Sequence, residues 1–275
     1  MSLLNRLWAY PTGRLGLALV ALVLAFGLLG PWLSPYDPVV ITVPDRFAVP
    51  SWQHPLGTDQ IGRDLATRLA YGTRLALVLA VIVLALALAS GVTLGILAAF
   101  APRRPAQAIL VGFDMLAAFP SVILALAIFA ALGPGLDRLT LIIAATMMPH
   151  FGRVARAQAL GFRGSPFIEA ERALGASAPR ILVLHVLPNM LGALIVLASL
   201  DLPVVITIEA GLSFLGLGVP PPQPSLGNLL NDGYSTIGRT LWPVAGAAGI
   251  LALATLGFTL FGEALRDALD RRSAP

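Results

Sequence analysis

Residues 75–100 read LALVLAVIVLALALASGVTLGILAAF, with no charged side chain between Leu75 and Phe100. A helix of about 20 apolar residues crosses the ~30 Å hydrocarbon core of a bilayer, and this run is longer than that. Working outward from it, comparable runs occur at Leu15–Leu33, Ala106–Leu132, Leu139–Ala157, Leu191–Leu212 and Leu241–Phe261. The whole chain is 57% hydrophobic and 12% charged, with a mean hydropathy of +0.85, whereas a soluble domain carries roughly 25% charged residues. The expected fold is all-α, a polytopic membrane helical bundle of six transmembrane spans. In such a bundle each span satisfies its own backbone hydrogen bonds. Gly91 and Gly95, in SGVTLG, have the small-residue spacing that lets helices approach closely, which reads first as packing within the chain.

Arginine placement sets the expected orientation. Arg6, Arg14, Arg103, Arg104, Arg153, Arg156, Arg163, Arg172, Arg180, Arg266, Arg271 and Arg272 fall on one side of the six spans, and Arg46, Arg63, Arg68, Arg74, Arg138 and Arg239 on the other. The larger set belongs in the cytoplasm, giving N-in and C-in. The chain then divides into a cytoplasmic N-terminus (1–14), a first span (15–33), an external loop (34–74), a five-span core (75–265) with a cytoplasmic loop at 158–190, and a cytoplasmic tail (266–275). The first span is expected to be uncleaved, because no small-x-small site precedes PWLSPYDP and five more spans follow. A net charge of +4 and pI near 10.3 follow from these topological arginines, so nucleic acid is not an expected partner.

The cytoplasmic loop contains GFRGSPFIEAERALGASAPRILVLHVLPN, Gly161 to Asn189. Ser165 suits an N-cap and Pro166 the first helical position. Glu169 and Glu171 favour the helix dipole, Gly175 suits a C-terminal stop, and Pro179 forbids simple continuation. The prediction is a helix of roughly nine residues, about 14 Å long, too short to persist alone in water. Phe167, Ala170 and Leu174 share one face, which needs a cover: either the chain's own helix ends or a partner.

Other chemistry is sparse. With no cysteine there is neither a disulfide nor a thiolate metal site. His54, His150 and His185 fall at different membrane levels, so no metal site is expected. No lysine is present for a G-x-x-x-x-G-K-[ST] nucleotide loop, and no GxSxG elbow occurs. Asp114, Asp201 and Glu209 lie in or near spans, where an ionised group costs at least a few kcal/mol unless paired or wet. Asp114 and Asp201 are the candidate pathway residues, with pairing to an arginine or a partner subunit as the alternative. Glu209, near an external end, is expected to be hydrated.

The loop resembles the EAA motif of bacterial ABC importer permeases. Glu169-Ala170-Glu171 is followed at the family spacing by Gly175 and then by His185-Val186-Leu187-Pro188. Glu171 replaces the motif's third-position alanine and His185 its isoleucine. HPLGTDQIGRD, His54 to Asp64, is similar to the external signature of dipeptide, oligopeptide and nickel permeases. EAGLSFLGLGVPPPQPSLGNLLNDG, Glu209 to Gly233, and the C-terminal LRDALDRR match the same C-type subunits.

The resemblance implies a non-enzymatic inner-membrane subunit of an ATP-driven importer. Its short helix would be the coupling helix, docked in an ATPase through Phe167, Glu169, Ala170, Glu171, Leu174 and Gly175, with Leu187-Pro188 restarting the fifth span. ATP and Mg would sit on two partner ATPases and not on this chain. A second permease subunit and an extracytoplasmic binding protein complete the expected assembly. The cargo would be peptide; alternatives are nickel in the same family, or a proton-coupled secondary transporter. His54, Pro55, Gly57, Asp59, Gly62, Arg63 and Asp64 would belong to an external loop that either docks the binding protein or braces itself through Asp59, Asp64, Arg63 and Arg68. The proline- and glycine-rich 212–228 stretch is read as a rigid external cap.

Overall fold

A computed structural model describes residues 8 and 10–269. Arg6, Arg271 and Arg272 of the orientation argument, and the end of LRDALDRR, lie outside the described residues. Among the described residues all regular structure is helical, apart from one isolated bridge between Thr58 and Asp64. The elements are α1 (Pro11–Leu33), α2 (Leu65–Phe100), α3 (Arg103–Ala118), α4 (Ser121–Leu132), α5 (Leu136–Phe162), α6 (Pro166–Ala173), α7 (Ala178–Ile181), α8 (Leu187–Phe214), α9 (Leu226–Ser235) and α10 (Trp242–Leu269).

Four helices are long and apolar enough to cross a membrane: α1, α2, the continuous Ala178–Phe214 helix and α10. The expected span Ala106–Leu132 is broken. α3 and α4 meet at 88°, and count as a fifth span only if taken together. The break falls where Phe119 takes an extended conformation ahead of Pro120, because proline clashes with a helical residue before it. The expected fourth span lies in α5, 27 residues long, but Pro149, His150, Arg153 and Arg156 keep it below the apolarity of the other four. By length and composition, then, the described residues hold four spans or five, where six were expected.

Two boundaries also differ from expectation. α2 begins at Leu65, before the apolar run at Leu75, because the Asp64 side chain accepts the Thr67 N–H and caps it. The fifth span does not restart at Leu187-Pro188. The helix is continuous from Ala178, passing through a π turn at Leu182–Val186 in which the Leu187 N–H reaches the Leu182 carbonyl. Pro188 has no N–H for a regular helical bond and its ring crowds the preceding turn. The π turn beside it absorbs that defect.

α2 is the central helix, and its most extensive partner is α5, while α10 packs on α1 and α8. A Cβ on Gly91 would lie 2.5 Å from the Met148 carbonyl oxygen, and one on Gly95 would collide with the Gly152 carbonyl. The glycine spacing therefore serves contact within the chain. Around the crossing, Ala80, Val83, Ala87, Leu139, Ile143, Phe151 and Val205 form a fully buried core. All four tryptophans, Trp8, Trp32, Trp52 and Trp242, are exposed. Three of them lie at the ends of α1 and α10 and Trp52 in the 34–64 loop, as expected of an interfacial aromatic belt.

The bundle has two functional ends. One gathers the 34–64 segment, the start of α2, the end of α8 and α9. The other gathers the end of α2, the end of α5, α6 and α7, and the end of α10 lies beside the start of α8 there. Gly95→Leu should force α2 from α5, costing about 1–3 kcal/mol of overpacking. Thermal denaturation of the detergent-purified protein should show it clearly destabilised. Gly112→Leu, where a Cβ meets open space, should leave the midpoint within a degree or two of wild type.

Candidate functional site

α6 is a single short helix fixed at both ends. Ser165 is extended ahead of it, although its hydroxyl bonds back to the Phe162 carbonyl and does not cap α6. The C-terminus closes as a Schellman motif. The Gly175 N–H donates to the Arg172 carbonyl and the Ala176 N–H to the Glu171 carbonyl, both at 3.0 Å, with Gly175 at φ +83°. A side chain there would meet open space, so the demand for glycine is conformational and not steric.

The helix is seated by one residue. Ile168 is fully buried among Val92 and Ile96 of α2, Ala155 and Ala159 of α5, and Ile181, Val186 and Met190 of the α7–α8 helix. Phe167, Ala170 and Leu174 point away from that seat and are exposed, Leu174 to 84%. Glu169 is exposed in the first turn. Glu171 Oε1 lies 3.5 Å from His185 Nε2, so the two positions that depart from the family motif meet each other across the α6–π-turn junction. Leu187 is partly buried against the seat cluster and Pro188 is exposed. Ile168 was missed in the sequence. Its signal was that it is the apolar residue of α6 lying off the Phe167–Leu174 face.

At the other end, the external signature turns inward. Asp59, Arg63 and Asp64 are only 3%, 8% and 4% exposed. Asp59 Oδ1 accepts the backbone N–H groups of Ile61 and Arg63. Its Oδ2 meets Arg63 Nε at 2.6 Å and Arg68 Nε at 3.5 Å. Both arginines reach Asp232 of α9, at 3.7 and 3.9 Å, and Arg68 also donates to the Pro38 carbonyl. Burial raises the Asp232 pKa, while Arg68 and Arg63 pull it down. His54 Nδ1 lies 2.8 Å from Asp64 Oδ2, under the Tyr36 ring. Gly57 and Gly62 take positive φ, the latter against the Thr42 carbonyl, and Pro55 is exposed. These charges brace the loop. The surface left open is a cleft of about 630 Å³ between Gln60, Arg63, Pro134, Asp232 and the 213–223 cap.

Between the ends, the intramembrane carboxylates are paired across helices. Asp114 Oδ1 of α3 accepts from Arg153 Nη2 of α5 at 2.8 Å. Asp201 Oδ2 of α8 lies 3.2 Å from His150 Nε2 of α5. The partner of Asp114 thus comes from α5, beyond the intervening α4. Glu209, expected to be hydrated, is instead fully buried. One oxygen accepts the Ser213 hydroxyl at 2.7 Å, and the other has no hydrogen-bond partner. It sits where α8 turns into the cap, whose packing on α9 excludes solvent. Among the described residues no group of His, Cys, Asp and Glu is arranged to hold a metal ion.

Residues 91–274 match the family described as binding-protein-dependent transport system inner membrane component. The chain is 38% identical to a di/tripeptide transport system permease protein of Pseudomonas aeruginosa, covering 98% of this chain and 92% of that one. It is 38% identical to a dipeptide transport system permease protein of Alkalihalophilus pseudofirmus, over 93% of this chain and 84% of that one. A probable D,D-dipeptide transport system permease protein of Escherichia coli is 35% identical over 93% and 86%.

Two substitutions separate seat from brace. Ile168→Ala should cost about 2–5 kcal/mol at the α6 seat, seen as faster proteolysis of the 163–177 segment in the folded protein. Asp59→Ala would leave Arg63 and Arg68 only the more distant Asp232 carboxylate, and should cost up to about 3–5 kcal/mol, seen as a lower denaturation midpoint with the 163–177 segment still protected.

Proposed function

We propose, from the premise that this chain belongs to the family of binding-protein-dependent transport system inner membrane components, that it is a peptide-importing ABC permease subunit whose α6 is the coupling helix. As a member of that family it is a multi-pass inner-membrane transport protein and not an enzyme. Peptide cargo is supported by the names of its relatives, which are peptide and dipeptide permeases.

The observation that carries the reading is the asymmetry of α6. One buried isoleucine anchors it to three long helices, while an apolar and acidic surface made by Phe167, Glu169, Ala170 and Leu174 remains uncovered. A peg of this kind transmits displacement in both directions, because Ile168 ties it to α2, α5 and α8 at once. Two cytoplasmic ATPases holding ATP and Mg would move that peg. A second permease subunit would complete the path, and an extracytoplasmic binding protein would deliver cargo to the end bearing the cleft.

The end bearing α6 is then cytoplasmic, and the bent α3–α4 pair and α5 join the four apolar helices as the remaining passes of a six-pass, N-in and C-in chain. Asp114 and Asp201 face the translocation path between the subunits. The 71% exposure of the Asp114 side chain in the single chain supports this, since lipid would penalise it, and Asp201 reaches the same face through His150, which is 47% exposed.

Gentle detergent extraction of the tagged protein should bring down a second permease and two ATPases; recovery of this chain alone would overturn the reading. Glu169→Lys should reduce the ATPase recovered while the permease partner stays. Gly175→Val should abolish uptake yet leave insertion intact, because a β-branched residue at positive φ costs about 1–3 kcal/mol and opens the Schellman closure.

A further inference from the structure

The groups the importer reading uses least are two of the basic residues of α5, midway along it. We propose that His150 and Arg153, with Asp201 and Asp114, form a charge-balanced lining that takes the two charged termini of a zwitterionic peptide in transit. The inference rests on the peptide-permease reading above and names what the path recognises.

Depth comes first. At 1.5 Å per residue His150 lies about 18 Å along α5 from its Phe162 end, and Asp201, 3.2 Å from it, is level with it. Both are near the middle of a ~30 Å hydrocarbon core. Charges there persist when paired or wet; all four are paired, and all but Asp201, 15% exposed, are also open at the surface of the chain. The Arg153 and Asp114 side chains are 49% and 71% exposed, and His150 is 47% exposed. A purely structural pair at this depth would be buried.

The pattern of charge comes next. His150 and Arg153 are at i and i+3, about 5–6 Å apart on one face of α5. One acidic partner comes from α8 and the other from α3. The lining holds two acids and two bases, which suits a ligand carrying one charge of each sign better than it suits a net cation or anion. Arg153 engages Asp114 through Nη2 alone, leaving further guanidinium donors for a carboxylate. Asp201 Oδ2 is buried against His150, whereas the Asp114 side chain is 71% exposed and gives only Oδ1 to Arg153, so Asp114 Oδ2 is the oxygen open to an ammonium.

The test uses the whole importer, with binding protein and ATP, in proteoliposomes. Uptake of a dipeptide is compared with that of its N-acetyl and C-amide forms in wild type, Asp114→Asn and Arg153→Gln. Asp114→Asn should slow the free dipeptide roughly tenfold while scarcely changing the N-acetyl form, and Arg153→Gln should do the same relative to the C-amide. Comparing ratios removes the binding protein's own preference.

The absence of cysteine allows a second readout that needs no blocked peptide. Ala157→Cys, exposed one turn from Arg153, should react with a thiol reagent more slowly when dipeptide is being transported. That protection should vanish in the Asn and Gln backgrounds. Equal slowing of all three peptides with protection retained would overturn the lining, as would loss of the co-purified permease from the variants, which would make the stripe an assembly contact. A wild-type importer that carries no dipeptide at all would instead remove the peptide reading on which the lining rests.

Discussion

The contact on which the rest of this protein depends is the crossing of α2 and α5, where Gly91 and Gly95 let one backbone touch the carbonyls of Met148 and Gly152. Without a hydrophobic driving force between helices in lipid, close backbone approach is a main source of packing energy. The crossing fixes far more than itself. The N-terminal end of α2 carries Asp64, which caps the helix, and Arg68, which holds the 34–64 loop. Its C-terminal end supplies Val92 and Ile96 to the seat of Ile168. α5 presents His150 and Arg153 midway and then leads into α6. A displacement at either end is therefore a displacement of one rigid pair.

Much of this was legible in the sequence, for identifiable reasons. The apolar run at Leu75–Phe100 leaves little alternative to a membrane helix, and Pro166 and Gly175 punctuate α6 within a residue of the bounds observed. Those signals are local. Arg63 and Asp59 could also be anticipated, being four residues apart.

What sequence reasoning lost was either masked by hydrophobicity or contributed by another helix. Pro120 interrupts a run so apolar that it reads as one span, yet the backbone turns by 88° there. The Leu187-Pro188 pair reads as a helix start because proline suits that position, whereas the chain keeps its helix by widening one turn. Arg153 for Asp114, Asp232 for Arg63 and Arg68, and His185 for Glu171 are partners brought by tertiary folding. The last pair carried a faint signal, since both residues are exceptions to the same motif and occur together.

The widened turn at Leu182–Val186 sets a phase relation. Ile181 and Val186, five residues apart, are both buried, and the burial continues at Met190 and Leu194 in steps of four. An ordinary helix advances about 100° per residue, so five regular residues would set Ile181 about 140° from the side that Val186 buries, and the widened turn closes most of that gap. The connection between α6 and the long helix is thus quantised, like the tooth count of a gear. Its composition can drift while the apolar beat survives, but its length cannot change by one residue without rotating the whole α6 attachment against the bundle.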